Sequence, residues 1–375
     1  MGDLKKISHL ENLNTCSLIC RSDSTTHPFP LKGDSMEKIK IGIAGLGRLG
    51  KIHAKNLAFN IRGAELTAAC SLLESELTFA KNELNVQDCY TDFNEMLDKA
   101  DIQAIAIVTS SGEHCKQLAS ALDAGKHVFC EKPLGITVDE CFFAEKSVEQ
   151  HSEQIFLLGF MRRFDPSYLY AKAKIEEGII GDPYLVKATG VDPLKFIEGA
   201  LKFAKTSGGL FIDMAIHDID LMRWFLKSDP VSVYAIGSSY GFPQFAEMGD
   251  AEAGCALFKF QNEAMGIIHA GRTAAHGYHI ETEIVGTKGS IRISPVPQKN
   301  LAILYNEQGV VTECVEAFPE RFDEAYRSEL QYFIDCVLNN KKPEINVYDG
   351  TRSTQIAFAT TQSFKEGSLV HIQYS

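Results

Sequence analysis

Between Gly209 and Leu226 the chain is apolar at Leu210, Phe211, Ile212, Met214, Ala215, Ile216, Ile219, Leu221 and Met222, and Asp213, His217 and Asp220 interrupt that surface. Spacings of four and three put these ionisable residues on one stripe of a single helix. A mostly buried helix keeps polar groups in line only where they find partners, because burying them unpaired costs free energy. An imidazole ordinarily titrates near pH 6.5, which suits His217 to taking the proton of an alcohol. Asp213, one turn earlier, can orient the ring and stabilise its charged form. Asp220 is read as structural. The same spacing also fits a polar pair that ties helix to sheet.

A second set lies near the start. Gly45-Leu46-Gly47-Arg48-Leu49-Gly50 follows the strand Lys38–Ala44 and opens a helix through Lys51–Leu57. In that setting the first glycine allows a tight turn and the second lets the backbone approach a pyrophosphate. The third lets helix close on strand, and the free N–H groups of the helix start face the anion. Gly45, Gly47, Arg48, Leu49 and Gly50 are the cofactor-binding candidates of this turn. The next strand, Glu65–Cys70, ends at Ser71, about 20 residues beyond Gly50, where an NAD site usually keeps a carboxylate for the ribose 2′-hydroxyl. Serine can donate to a 2′-phosphate and Arg48 can add positive charge. This reading favours NADP slightly, with NAD held by weaker hydrogen bonds as the alternative.

These residues need elements to position them. Two further apolar strands, 101–108 and 126–130, alternate with a helix that begins at His114. Near-continuous apolar strands with helices between them indicate a parallel sheet covered on both faces. Ligands sit beyond the C-terminal strand ends of such sheets. Thr109, Ser110, His114, Glu131 and Lys132 therefore fall on the cofactor side. An ammonium there, Lys132, can donate to a reacting oxygen and stabilise alkoxide charge. After residue 158 the pattern changes to strands at 184–190, 231–238, 253–260, 264–270, 280–285, 290–293, 301–305 and 310–315, joined by short turns. The fold class is thus an α/β Rossmann dinucleotide-binding domain, 38–158, plus an α+β domain, 159–347, with a large, mostly antiparallel open sheet. Helices are expected at 320–338 and 348–366, with residues 348–375 returning to the first domain. Residues 1–37 lack apolar periodicity and read as a disordered or added extension.

At Glu131-Lys132-Pro133 the chain resembles the Gfo/Idh/MocA oxidoreductase family, nearest its inositol dehydrogenase branch. Gly159-Phe160-Met161-Arg162-Arg163-Phe164-Asp165, Gly208-Gly209-Leu210-Phe211-Ile212-Asp213 with Ile216-His217-Asp218, Gly277-Tyr278-His279-Ile280 and Arg321-Phe322 extend the likeness in order. The resemblance implies NAD(P)-dependent oxidation of a ring hydroxyl of an inositol, with Lys132, Asp213 and His217 as the catalytic set. It implies that Glu131 and Arg162 face the cofactor and that Met161, Asp192, His276 and Tyr278 join Lys132, Asp213 and His217 around the substrate. His276 replaces a tyrosine of the family pattern, and Ser71 an acid. The resemblance also implies a cis Lys132–Pro133 bond and a homo-oligomer, a tetramer, formed through the open sheet face. Dehydrogenation of another sugar or a dihydrodiol, or a non-catalytic dinucleotide-binding regulator, are the rival expectations.

Composition narrows the classes. The 375 residues carry 37 basic and 49 acidic side chains, a net charge of −12, so nucleic acid, which requires a basic face, is not the expected partner. No apolar run approaches the roughly 20 residues of a membrane helix. Ten cysteines without CxxC spacing read as reduced thiols of a cytoplasmic protein, and no cluster with metal-ligand spacing is found.

Overall fold

The computed structural model describes residues 38–293 and 297–374; the expectations for residues 1–37 lie outside them. Ile39–Ala44 (β1), Ala64–Cys70 (β2), Asp88–Tyr90 (β3), Ala104–Ile107 (β4), His127–Glu131 (β5) and Phe156–Gly159 (β6) form a sheet of order β3-β2-β1-β4-β5-β6. Every pair in it is parallel. β4 and β6 are buried at every position, as expected for strands covered by helices on both faces. Strand order reverses between β1 and β4, so the crevice for a dinucleotide opens beyond their C-terminal ends. Gly45 leaves β1 there at φ +88°, and a Cβ on it would lie 2.4 Å from the Val108 carbonyl oxygen.

Pro183–Pro193 (β7), Pro230–Ser238 (β8), Ala253–Phe260 (β9), Met265–Ala274 (β10), His279–Gly286 (β11) and Ser290–Ile293 (β12) build the second sheet. Gln298–Asn306 (β13) and Gly309–Cys314 (β14) make a separate hairpin, and Val370–His371 (β15) adds an edge, giving the order β12-β11-β7-β10-β9-β8-β15. Only the central pair β7–β10 is parallel. All eight strands read from the second half are present. β3, β6 and β15 were not read: β3 and β15 are too short to show a period, and the apolar run of β6 falls on the expected boundary. Along β9, Gly254, Ala256, Phe258 and Phe260 are buried while Cys255, Leu257 and Lys259 are exposed, the alternation of a sheet with one face packed and one face open.

Two corrections concern helices. The stretch expected as one helix from Gly209 to Leu226 is two, Leu210–Asp213 and Ile216–Leu226, broken at Met214 and Ala215. Gly209, at φ +93°, starts the short one, and Asp250 Oδ1 accepts from the Leu210 N–H at 2.9 Å. Asp213 and His217 therefore do not share a continuous stripe. The helix Asp323–Leu338, expected in the second domain, is divided. Phe322, just before it, and its residues Ala325 and Tyr326 pack in the second core, whereas Leu330, Phe333 and Ile334 pack in the first. The helix Val347–Glu366 also touches both halves. Gly350 lies against Leu158 and Leu134, and Ser363 Oγ accepts from the Ala235 N–H of β8 at 2.9 Å.

Candidate active site

Lys132 stands at the end of β5, joined to Pro133 by a cis peptide bond. Its ammonium crosses to the second half, donating to the Asp213 carbonyl oxygen at 3.0 Å and lying 3.6 Å from Asp213 Oδ1. Both side chains are mostly buried.

His217 is buried in the first turn of the Ile216–Leu226 helix, with Nδ1 lacking a partner and the Phe160 ring edge-on at 6.3 Å. Burial, and then the charges of Lys132 and Arg162, hold its pKa well below the ordinary 6.5. The imidazole is thus neutral at pH 7 and has a lone pair to offer. The expected orienting contact, in which Asp213 would accept from this ring, is not formed among the described residues. The break at Met214 and Ala215 turns the Asp213 carboxylate toward Lys132 instead. The neighbours of His217 on its helix are held elsewhere: Asp218 accepts from Arg162 Nη1, and Asp220 takes both Nε and Nη2 of Arg163.

Asp192, near the end of β7, has its pKa pushed up to about 6 by burial and by the Asp213 charge, against the pull of Arg48, Arg272 and Lys132. Asp192, Asp213, Lys132 and His217 thus share one electrostatic neighbourhood. Tyr278, just before β11, is buried, and burial raises its pKa against the nearby Arg162. Met161 is buried on the same wall. His276 is exposed on the β10–β11 turn with its ring edge-on to His279 at 5.2 Å.

On the cofactor side, Gly50 is needed because a Cβ there would lie 2.1 Å from the Gly45 oxygen, whereas a Cβ on Gly47 would meet nothing within 4 Å. Gly47 is also the N-cap of the helix Arg48–Phe59 and brings no side-chain cap. An open glycine before uncapped N–H groups fits a pyrophosphate. Leu49 packs between the two cores. Thr109 Oγ1 donates to Gln117 Oε1 at 2.7 Å, and Ser110 is exposed beside it.

The other cofactor candidates have partners within the protein. Arg48 lies over the Phe318 ring at 4.6 Å, and its charge lowers the Asp192 pKa. His114 is a buried brace, its ring nitrogens 2.7 Å from the Pro133 oxygen and 3.2 Å from the Thr109 oxygen. Glu131 points inward, with Oε1 2.8 Å from His53 Nε2 and Oε2 accepting from the Lys132 N–H at 3.1 Å. Arg162 is buried against Asp218 and the Phe322 ring. Ser71 donates to Glu76 Oε2 at 2.5 Å and accepts from the Leu73 N–H at 3.1 Å.

Sequence reasoning missed Glu76, His53, Glu329 and the Arg272–Asp250 pair, which closes at 2.9 Å and holds the start of the Asp213 helix. The partners come together only in the fold, so no local spacing announces them. Glu76 is the exception, since an acid in the first turn of the helix after β2 is visible in the sequence.

Residues 39–159 match the oxidoreductase family with an NAD-binding Rossmann fold, and residues 168–292 match the GFO/IDH/MocA C-terminal domain. The chain is 35% identical over 339 residues to scyllo-inositol 2-dehydrogenase (NAD(+)) of Bacillus subtilis, covering 89% of this chain and 96% of the relative. The crystal structure of scyllo-inositol dehydrogenase from Lactobacillus casei, with bound cofactor NAD(H) and scyllo-inositol, is 46% identical. It superposes with a TM-score of 0.87 over 89% of this chain and 99% of that one. Myo-inositol 2-dehydrogenase from Lactobacillus plantarum is 43% identical, with a TM-score of 0.88 over 90% of this chain and 100% of that one.

Proposed function

The chain belongs to the GFO/IDH/MocA oxidoreductase family, and from that premise we propose that it oxidises a ring secondary hydroxyl of an inositol, myo- or scyllo-inositol, to the inosose with NAD. The observation that carries this reading is the 3.0 Å contact of Lys132 with Asp213. Through it a lysine of the nucleotide half meets the segment of the other half that carries His217. NAD, held at Gly45, Gly47 and Gly50, supplies the hydride acceptor when bound. The chain manages the proton. Neutral His217 takes it from the hydroxyl, and the Lys132 ammonium donates to the same oxygen and stabilises its developing charge. Asp213 holds Lys132 in place. Asp192 accepts from a neighbouring ring hydroxyl, and Met161 and Tyr278 complete the wall. Adding scyllo- or myo-inositol to the chain with NAD is expected to raise absorbance at 340 nm. Cofactor binding without turnover of any cyclitol or sugar would leave a dinucleotide-binding regulator.

The sequence leaned toward NADP. The Ser71 hydroxyl proton is committed to Glu76 and Arg48 lies over Phe318, which supports NAD instead. A 2′-phosphate at Ser71 faces the Glu76 carboxylate, and opposed like charges cost several kcal/mol. NAD is therefore expected to exceed NADP in kcat/KM by at least about a hundredfold, and Glu76→Gln to narrow that ratio about tenfold. An unchanged ratio in the variant would remove Glu76 from cofactor choice.

Asp192 gives a pH dependence. Its carboxyl holds a proton below about pH 6 and is charged above, so kcat/KM for inositol falls as pH drops through that value. Asp192→Asn is expected to abolish this limb and raise the inositol KM about tenfold, the loss of one charge-assisted hydrogen bond. A variant that keeps the limb would place the titration elsewhere.

The open face of the second sheet exposes Tyr234, Ile236, Leu257 and Met265. A homo-oligomer, a tetramer, covers such a face most simply. A monomer's mass by light scattering would contradict this.

A further inference from the structure

Next to the Lys132 backbone lies a group of ionisable side chains that the reaction above does not use. Glu131 ties the imidazole of His53 to the backbone N–H of Lys132. Glu329 brings a second carboxylate, so that one polar atom from each of His53, Glu131 and Glu329 lies within 4.8 Å of the others. All three residues are buried, and Glu329 is fully so. Both Glu329 oxygens and His53 Nδ1 have no partner. The rings of Phe129 and Tyr326 stand edge-on to His53 at 5.3 and 5.4 Å and fix its plane. Three elements contribute: the helix after the glycine turn, the end of β5, and the Asp323–Leu338 helix.

We propose that His53 and Glu329 are positioning residues for the reaction, forming with Glu131 a sealed hydrogen-bonding site that fixes the backbone of Lys132 and so the reach of its ammonium to Asp213. The inference rests on the role given to Lys132 above. Two carboxylates cannot both stay charged in so dry a pocket. Glu131 has two hydrogen-bonding partners, His53 Nε2 and the Lys132 N–H. Glu329 has none, and burial together with the Glu131 charge pushes its carboxyl well above the usual range. Glu329 therefore carries a proton and is itself a donor, with Glu131 and His53 as the acceptors nearby. The Tyr326 hydroxyl also faces the group, and burial and both carboxylates hold it protonated. The 2.8 Å separation of His53 Nε2 and Glu131 Oε1 is that of a direct hydrogen bond.

The test compares Glu329→Gln, Glu329→Ala and His53→Ala for kcat, KM and the pH profile of kcat, with Tm followed in parallel. Glutamine keeps the size and neutral donor of a protonated glutamate, so its kcat stays within about twofold of wild type. The alanine variants lose about tenfold in kcat, since a small displacement of a reacting group is costly. Their KM for NAD stays within about twofold, and the acid limb of kcat moves to higher pH as Lys132 recedes from His217. A lower Tm with kcat and acid limb unmoved would make the site merely structural and overturn the proposal. So would Glu329→Gln failing as badly as Glu329→Ala, because the carboxylate itself would then be required, as in a metal ligand. Should His53→Ala not fold, the contrast at residue 329 carries the test. Inactive wild-type protein would instead strike the proposed function, whereas active wild type, inactive Lys132→Met and fully active His53→Ala would strike this inference alone.

Discussion

Replacing His217 with alanine lowers kcat for inositol oxidation about a thousandfold, within the range of a general base, and leaves the KM for NAD within about twofold. The imidazole is neutral at pH 7 because burial and two nearby cations disfavour its charged form. It is therefore ready to take a proton without first losing one. Of the carboxylates nearby, Asp213 is engaged by the ammonium and Asp192 is given to a neighbouring ring hydroxyl. An interaction made only as the proton moves shows in kcat and not in cofactor KM. With the ring gone, hydroxide becomes the base, and log kcat should climb by about one per pH unit. Steady-state rates from pH 6 to 10 check this. Activity within about threefold of wild type would remove His217 from proton transfer.

Replacing Lys132 with methionine is expected to cost about a hundred- to a thousandfold in kcat, the loss of a donor aimed at the developing alkoxide. It also moves a pKa. The Lys132 charge helps to hold His217 well below 6.5. Without that charge the imidazolium forms more readily, so the neutral base is lost at a higher pH. The acid limb of kcat should shift upward in the variant. Lys132 also lowers the Asp192 pKa, whose change has the same sign, so the measurement is cleanest in an Asp192→Asn background. An unmoved acid limb would mean that lysine and imidazole do not meet at one site.

How much of this was legible in the sequence depends on the range of the interaction. Gly45 and Gly50 are tied to their turn, because a Cβ on either would strike a backbone carbonyl oxygen, whereas a Cβ on Gly47 would meet nothing. The strands of the second sheet announce themselves by period. Lys132 and Asp213 were identified from their places beyond a strand end and within an apolar stretch, yet their contact joins residues 81 apart. The helix break between Asp213 and His217 was not readable, since Met214 and Ala215 are good helix formers. It arises from tertiary anchors, Asp250 on the Leu210 N–H and Arg272 on Asp250. Glu131 and His114 were placed on the cofactor side by the strand-end rule, which gives the end of the sheet but not the direction in which a side chain turns. His276 was placed by likeness of pattern, and its turn leaves it in solvent.

The central claim is that a lysine of one half and an imidazole of the other converge on one alcohol. A crystal structure of the chain with NAD and scyllo-inositol tests it most directly. The account predicts a single ring hydroxyl within about 3.2 Å of both Lys132 Nζ and a His217 ring nitrogen, its carbon facing the nicotinamide. An inositol bound with that hydroxyl against other side chains, and His217 more than about 5 Å away, beyond any hydrogen bond, would contradict it.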